Sequence, residues 1–269
     1  MKALRYILLG LVIAAAAGLL LYQGLIEKNL DSSNLVKGLL IIAGAVISML
    51  RPRRRSRTVN RKGLYQKSYG EFIQNAFSDE PKLEKKLYDA IDDYNRNKSA
   101  AAITKLEKLR KDCQRTVDLY AVTVFLGLCH DDLTLYEDAI VHYDAASKMR
   151  SNTTVLSNMG LCHQRLGQFE EAKKAYSAAI QVDPKNEIAY NNLSALYFSQ
   201  GEYEEALTAA KNAIEINGKM PQALSTAAIC SYLLGSKEDY ERYYRQAVSN
   251  GYDGKKIKTV LERLDPSPL

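Results

Sequence analysis

Gly127-Leu128-Cys129-His130 returns as Gly160-Leu161-Cys162-His163, 33 residues further on. The residues after each copy also match: Tyr136, Ala139, Tyr143 and Ala146 align with Phe169, Ala172, Tyr176 and Ala179. A period of about 33 or 34 residues, with small and aromatic residues at fixed offsets, marks a stack of helical hairpins. The register continues down the chain. Ser194 takes the place of Gly127 and Gly160 and is followed by Tyr203, Ala206 and Ala213; a further copy gives Ala228, Gly235, Tyr244 and Ala247. The units run 120–152, 153–186, 187–220 and 221–254, and a weaker one at 83–117 keeps Ala90, Ala102, Leu106 and Leu109 in register.

Each unit reads as two amphipathic helices joined by a short turn. Gly167, Gly201 and Gly235 fall in those turns, where glycine adopts a positive φ at low cost. Pro184 falls between units, where a helix must stop. Residues 254–264 read as a charged amphipathic capping helix with Ile257, Val260, Leu261 and Leu264 as its buried stripe. Ahead of the repeats, residues 64–77 carry Leu64, Tyr65, Phe72, Ile73, Ala76 and Phe77 on one side and predict a lead-in helix.

These residues resemble the tetratricopeptide repeat family. Asn158-Met159-Gly160-Leu161-Cys162, then Leu166-Gly167-Gln168-Phe169-Glu170-Glu171-Ala172, Tyr176 and Ala179-Ile180-Gln181-Val182-Asp183-Pro184 match the family pattern almost throughout. The resemblance is strong over 120–220 and extends over 83–254. It departs in three places. The chain has no Trp, so Thr123, Leu156, Tyr190 and Leu224 stand at the usual Trp site; Tyr240 replaces an expected alanine; and the first unit lacks most of the signature. The resemblance implies an all-α fold, a right-handed α-solenoid of helix-turn-helix repeats with a concave groove.

The N-terminus has a different character. Tyr6 to Ile26 contains no charged residue over 21 positions. At about 1.5 Å rise per residue, this run spans a hydrocarbon core of about 30 Å. A second apolar run, Leu35 to Leu50, is interrupted only by Lys37, which would snorkel to the interface. Lys2 and Arg5 precede the first run, and Arg51, Arg53, Arg54, Arg55 and Arg57 come after the second. Positive charge marks the cytoplasmic side. Two spans, about 6–26 and 35–50, put both basic groups there and the 27–34 loop outside. Residues 1–63 thus predict a transmembrane helical hairpin with a basic juxtamembrane arm, and 64–269 the solenoid. A cleaved signal peptide ending near Ala17 is the competing reading, and the apolar run outlasts that site. The small residues Gly10, Ala14 and Gly18, with Gly44 and Ser48, offer a packing stripe for the two spans or for a homo-oligomer.

Residues 1–63 carry a net +9 and the rest of the chain −3, so the overall +6 comes from the arm. Arginines just after a span serve topology and contact anionic lipid headgroups, here Arg51, Arg53, Arg54, Arg55 and Arg57. That placement argues against nucleic acid as the partner.

No residue pattern points to catalysis. The chain has no phosphate-binding glycine loop, no dinucleotide fingerprint, no G-x-S-x-G and no H-E-x-x-H. Cys129, Cys162 and Cys230 share one repeat position, which Leu196 fills in the remaining unit; a slot shared by Cys and Leu is an apolar packing slot. Without a C-x-x-C pair there is no zinc ribbon. His130 and His163 each come directly after a cysteine, but neighbours on a helix point about 100° apart and do not chelate together. His142 falls on a polar face and reads as solvated. Neither a cofactor nor a metal is expected.

What remains is the groove. In tetratricopeptide proteins the first helix of each repeat lines it. Carried over by register, that gives Val124, Phe125 and Leu128; Ser157, Asn158, Leu161 and Arg165; Asn191, Asn192, Ala195 and Phe198; and Ser225, Thr226, Ile229 and Tyr232. Apolar anchors alternate with amides able to bond a peptide backbone. The family's carboxylate clamp for chaperone tails needs lysines and an asparagine that here read Val124, Leu128 and Ile188, so that ligand is not expected. The sequence therefore predicts a non-catalytic adaptor that binds a protein or peptide, anchored in a bacterial inner membrane with its solenoid in the cytoplasm. A regulatory subunit of a membrane enzyme or envelope-assembly complex, and an exported repeat protein, are the alternative readings.

Overall fold

A computed structural model describes residues 61–264. The expected spans at 6–26 and 35–50, the small-residue stripe and the arginines at 51–57 lie outside the described residues. Among the described residues no helix is long and apolar enough to cross a membrane. The compact unit holding the repeats begins at Lys62.

The regular structure among these residues is helical. A lead-in helix, α1 (Arg61–Ile73), precedes five helical hairpins. They are α2 (Pro81–Tyr94) with α3 (Ser99–Arg110), α4 (Thr116–Asp132) with α5 (Tyr136–Met149), α6 (Thr153–Arg165) with α7 (Phe169–Val182), α8 (Glu187–Ser199) with α9 (Tyr203–Ile216), and α10 (Pro221–Leu233) with α11 (Lys237–Ser249). A last helix, α12 (Gly254–Leu264), packs on α10 and α11. The second helix of each hairpin also packs on the first helix of the next, so the stack is continuous. This is an all-α solenoid of stacked helical hairpins.

Local chemistry sets the boundaries. Asn152 and Asn186 cap α6 and α8, each side-chain oxygen accepting from the backbone N–H three residues on, at 3.0 and 2.8 Å. Pro81 and Pro221 open α2 and α10, where the missing N–H costs nothing. Inside the hairpins, Gly167, Gly201 and Gly235 adopt φ of 72°, 79° and 80°; Thr134 adopts 60° at the same place in the α4/α5 turn. The residue after each donates its N–H to a carbonyl five back, as Gln168 does to His163 and Leu135 to His130, at 2.9 Å in both.

The repeat's small residue has a specific neighbour. A Cβ on Gly127 would lie 2.6 Å from the Tyr143 ring, and one on Gly160 2.7 Å from the Tyr176 ring. The glycines thus make room for a buried tyrosine from the partner helix. In α8/α9 both residues change together: Ser194 faces a helix carrying Ala210, and its hydroxyl donates to the Ala206 carbonyl at 2.9 Å. Cys129, Cys162, Leu196 and Cys230 are all fully buried, and burial pushes those three thiols up to about 12. On α12 the buried stripe is Ile257 and Leu261; Val260 is half-buried and Leu264 is exposed.

Besides Leu264, two expectations outside the groove need correction. Leu64 is exposed, because α1 turns Tyr65 inward instead. His142 is half-buried, stacked 4.9 Å from the His130 ring across the α4/α5 hairpin. Its apparent polar face meets a neighbouring helix that the local pattern does not reveal.

Candidate partner-binding groove

The first helices of the hairpins share one face of the stack: α2 lies beside α4, α6 beside α8, and α8 beside α10. Repeat register sends residues at equivalent positions to that face. The structure divides it into a covered half and an open half.

The covered half is α2 and α4. Val124 and Phe125, expected to meet a partner, are fully buried, and Leu128 is half-buried. What covers Phe125 is α1. The Tyr69 ring meets Phe125 edge-on at 5.2 Å, Phe72 meets it at 6.4 Å and 88°, and Tyr94 of α2 closes the cluster at 6.3 Å. Tyr65 lies 5.3 Å from Tyr88, and its hydroxyl donates to Asp92. The Tyr69 hydroxyl donates to Asn95. At the far end of α1, the Glu71 carboxylate accepts from Asn152 Nδ2 at 3.0 Å and Thr154 Oγ1 at 3.3 Å, and Arg150 donates to the Glu71 carbonyl at 3.0 Å. A turn then anchors the segment. Asp118, 1% exposed, accepts the Phe77 N–H at 2.6 Å and two Arg115 N–H groups at 2.8 and 2.9 Å. Burial alone would raise the Asp118 carboxyl; the guanidinium and the N–H outweigh it and hold the group below the usual range.

The open half is α6, α8 and α10. Arg165 and Ala195 are exposed, while Asn158, Leu161, Asn191, Asn192, Phe198, Thr226 and Tyr232 are half-buried. Neither Asn191 nor Asn192 hydrogen-bonds to another described residue. Three expected residues are not available: Ser157, Ser225 and Ile229 are buried. Ser225 spends its hydroxyl on the Gln222 carbonyl at 2.8 Å, and Ile229 joins the apolar cluster beneath α10 and α12. Of the expected groove residues here, Arg165 alone is charged.

A pocket of about 330 Å³ opens elsewhere, between Tyr190, Leu193 and Tyr197 of α8 and Glu204, Glu205 and Asn212 of α9. None of the expected groove residues lines it. Among the described residues no three His, Cys, Asp or Glu side chains converge as a metal site.

The sequence places Tyr65 and Phe72 on the inner side of a lead-in helix, but it misses Tyr69 and Glu71 and the fact that this side docks on the first-helix face. A signal for the docking existed. At the two positions held by Ser157-Asn158, Asn191-Asn192 and Ser225-Thr226, the first full repeat carries Val124-Phe125. An apolar pair where every later copy is polar asks for a cover.

This geometry is that of a helical-repeat protein with one exposed first-helix face. Residues 151–219 match the family profile of the tetratricopeptide repeat. No curated protein matches the chain. Among solved structures, it is similar to a tetratricopeptide repeat protein from Parabacteroides merdae, at 20% identity and a TM-score of 0.60, over 68% of this chain and 73% of that one. A crystal structure of MamA matches at 20% identity and 0.55, over 63% of this chain and 96% of its own. YrrB, described as a TPR protein with an unusual peptide-binding site, matches at 14% identity and 0.54, over 74% and 97%. At these identities the likeness establishes the fold.

Proposed function

We propose that the chain is a non-catalytic scaffold that holds a protein partner on the α6–α8–α10 face and carries it to a membrane. One observation carries the reading: Asn191 and Asn192, half-buried and without a hydrogen-bond partner among the described residues, share the open first-helix face with Phe198, while the other half of that face is already filled. Amides able to pair with a peptide backbone, set among apolar side chains, suit a peptide or protein segment better than a small molecule. The peptide-binding site named for YrrB is in keeping with such a use of this fold.

The membrane part rests on sequence. The uncharged run from Tyr6 to Ile26 is long enough to span, and the arginines between 51 and 57 favour a cytoplasmic solenoid in a bacterial inner membrane. Those arginines would contact anionic headgroups, and the spans could pair two copies. Anchoring would raise the partner's local concentration at the bilayer. The test is affinity purification from detergent-solubilised membranes, comparing wild type with Asn191→Arg/Asn192→Arg. A protein depleted about tenfold in the variant, a loss of about 1.4 kcal/mol, supports the reading. Equal recovery from both rejects it.

A further inference from the structure

The two ends of the stack are finished differently. At the C-terminus, α12 packs on α10 and α11 and closes the last hairpin. At the N-terminus, α1 does not simply repeat that arrangement. Its side chains run from Tyr88 and Asp92 on α2, through Phe125 on α4, to Asn152 and Thr154 at the start of α6. It lies across three successive first helices, which is the path of a ligand rather than that of another stacked helix.

The seat of α1 is also unlike the rest of the molecule. Each hairpin brings two helix backbones close together, whereas α1 is held by side chains with little backbone approach. Its helix is interrupted at Tyr69, with φ −134° and ψ 18°. The turn after it places two non-glycine residues, Asn75 and Phe77, at φ of 63° and 51°. Asn takes that conformation readily, but a bulky aromatic such as Phe77 keeps it only where its surroundings impose it. Here the buried Asp118 does so, at the turn and not along the helix.

We propose that α1 is a displaceable occupant, and that the α2–α4 face beneath it is a second docking surface. It would take a partner helix carrying aromatic side chains at positions i, i+4 and i+7 and a carboxylate at i+6. Those are the spacings of Tyr65, Tyr69, Phe72 and Glu71 in the present occupant. The aromatic face would cover Phe125, and the carboxylate would take the Asn152 and Thr154 donors. Partner binding there would release α1 and join the two halves of the face. This inference rests on reading the first-helix face as the partner surface, but it is tested separately from the open half.

The probe is a fluorescent synthetic peptide of residues 61–80, added to the full chain in detergent. The variant Tyr69→Ala/Phe72→Ala weakens the internal occupant and leaves the surface under it intact. Expected is peptide binding about tenfold tighter to the variant than to wild type. Equal affinities overturn the proposal. Hydrogen exchange on the wild-type chain decides if the variant does not fold. Amides of 61–73 are expected to exchange at least about tenfold faster than those of α4 and α5, and faster still with excess peptide. Protection of 61–73 equal to that of α4 and α5, unmoved by peptide, would mean that α1 is a fixed part of the core. The Asn191→Arg/Asn192→Arg variant should bind this peptide as wild type does.

Discussion

At the scale of single residues, the glycine–tyrosine contact sets how closely each hairpin closes. At an unencumbered helix position, Gly→Ala gains about 1 kcal/mol. At Gly160 the added methyl would meet the Tyr176 ring at 2.7 Å, and overpacking of this kind costs about 1–3 kcal/mol. Gly160→Ala should therefore lower stability on urea unfolding. The pair Gly160→Ser/Tyr176→Ala copies what α8/α9 already does with Ser194 and Ala210, so its cost should fall short of the two single changes added together, by about 1 kcal/mol. A second residue carries a pH dependence. Burial, and then the His130 ring, hold the His142 imidazole below its ordinary 6.5. Glu107 and Asp138 oppose that shift and Arg110 adds to it. The folded state thus prefers the neutral ring. Stability should be level above about pH 6.5 and should decline as pH falls below it, since the unfolded chain binds the proton more readily. In urea midpoints measured between about pH 5 and 8, His142→Phe should remove that part of the decline.

At the scale of elements, the sequence conveys the hairpins better than their coverings. Glycine, alanine and tyrosine recur because each unit solves the same packing problem, so periodicity exposes the hairpins and their turns. Even the α4/α5 turn, where Thr134 replaces glycine, is found by counting back from Gly167. The place of α1 is not periodic. Its aromatics predict a helix with a buried side, but nothing local says that this side meets Phe125. The same limit explains the misplaced groove residues. Register finds the face to which Ser157, Ser225 and Ile229 belong, yet burial depends on how deeply each helix sits against its neighbours. Asp118 is the element-scale anchor. Asp118→Asn would keep the shape and remove the charge that holds Arg115 and the Phe77 N–H. A loss of about 2 kcal/mol is expected, together with faster exchange at Ala76 and Phe77. Unchanged exchange there would show that the turn is held by packing alone.

At the scale of the whole molecule, stability in a repeat stack is a sum of local terms and contacts between neighbours. Those contacts are uneven. One apolar cluster runs from Tyr65 through Cys162, and another from Ala210 to Leu261. Between them lie two small clusters around Leu193 and Ala189, where α9 contributes Ala206, Ala209, Ala210 and Ala213 to the interior. The α8/α9 hairpin should therefore open before α4/α5, with lower protection in native-state hydrogen exchange. Uniform protection across the stack would contradict that reading. The softer hairpin is also the one presenting Asn191 and Asn192, so partner binding should raise its protection.

The most direct test of the proposed scaffold is photo-crosslinking in the cells that make the protein. A photoreactive amino acid would be placed at Ala195 on the open first-helix face, or at Lys211 on the second-helix side; both positions are exposed. A discrete adduct with another protein is expected from position 195 and none from 211, and Asn191→Arg/Asn192→Arg should abolish it. An adduct from 211 alone, or one from 195 that survives the two arginines, would contradict the proposed scaffold.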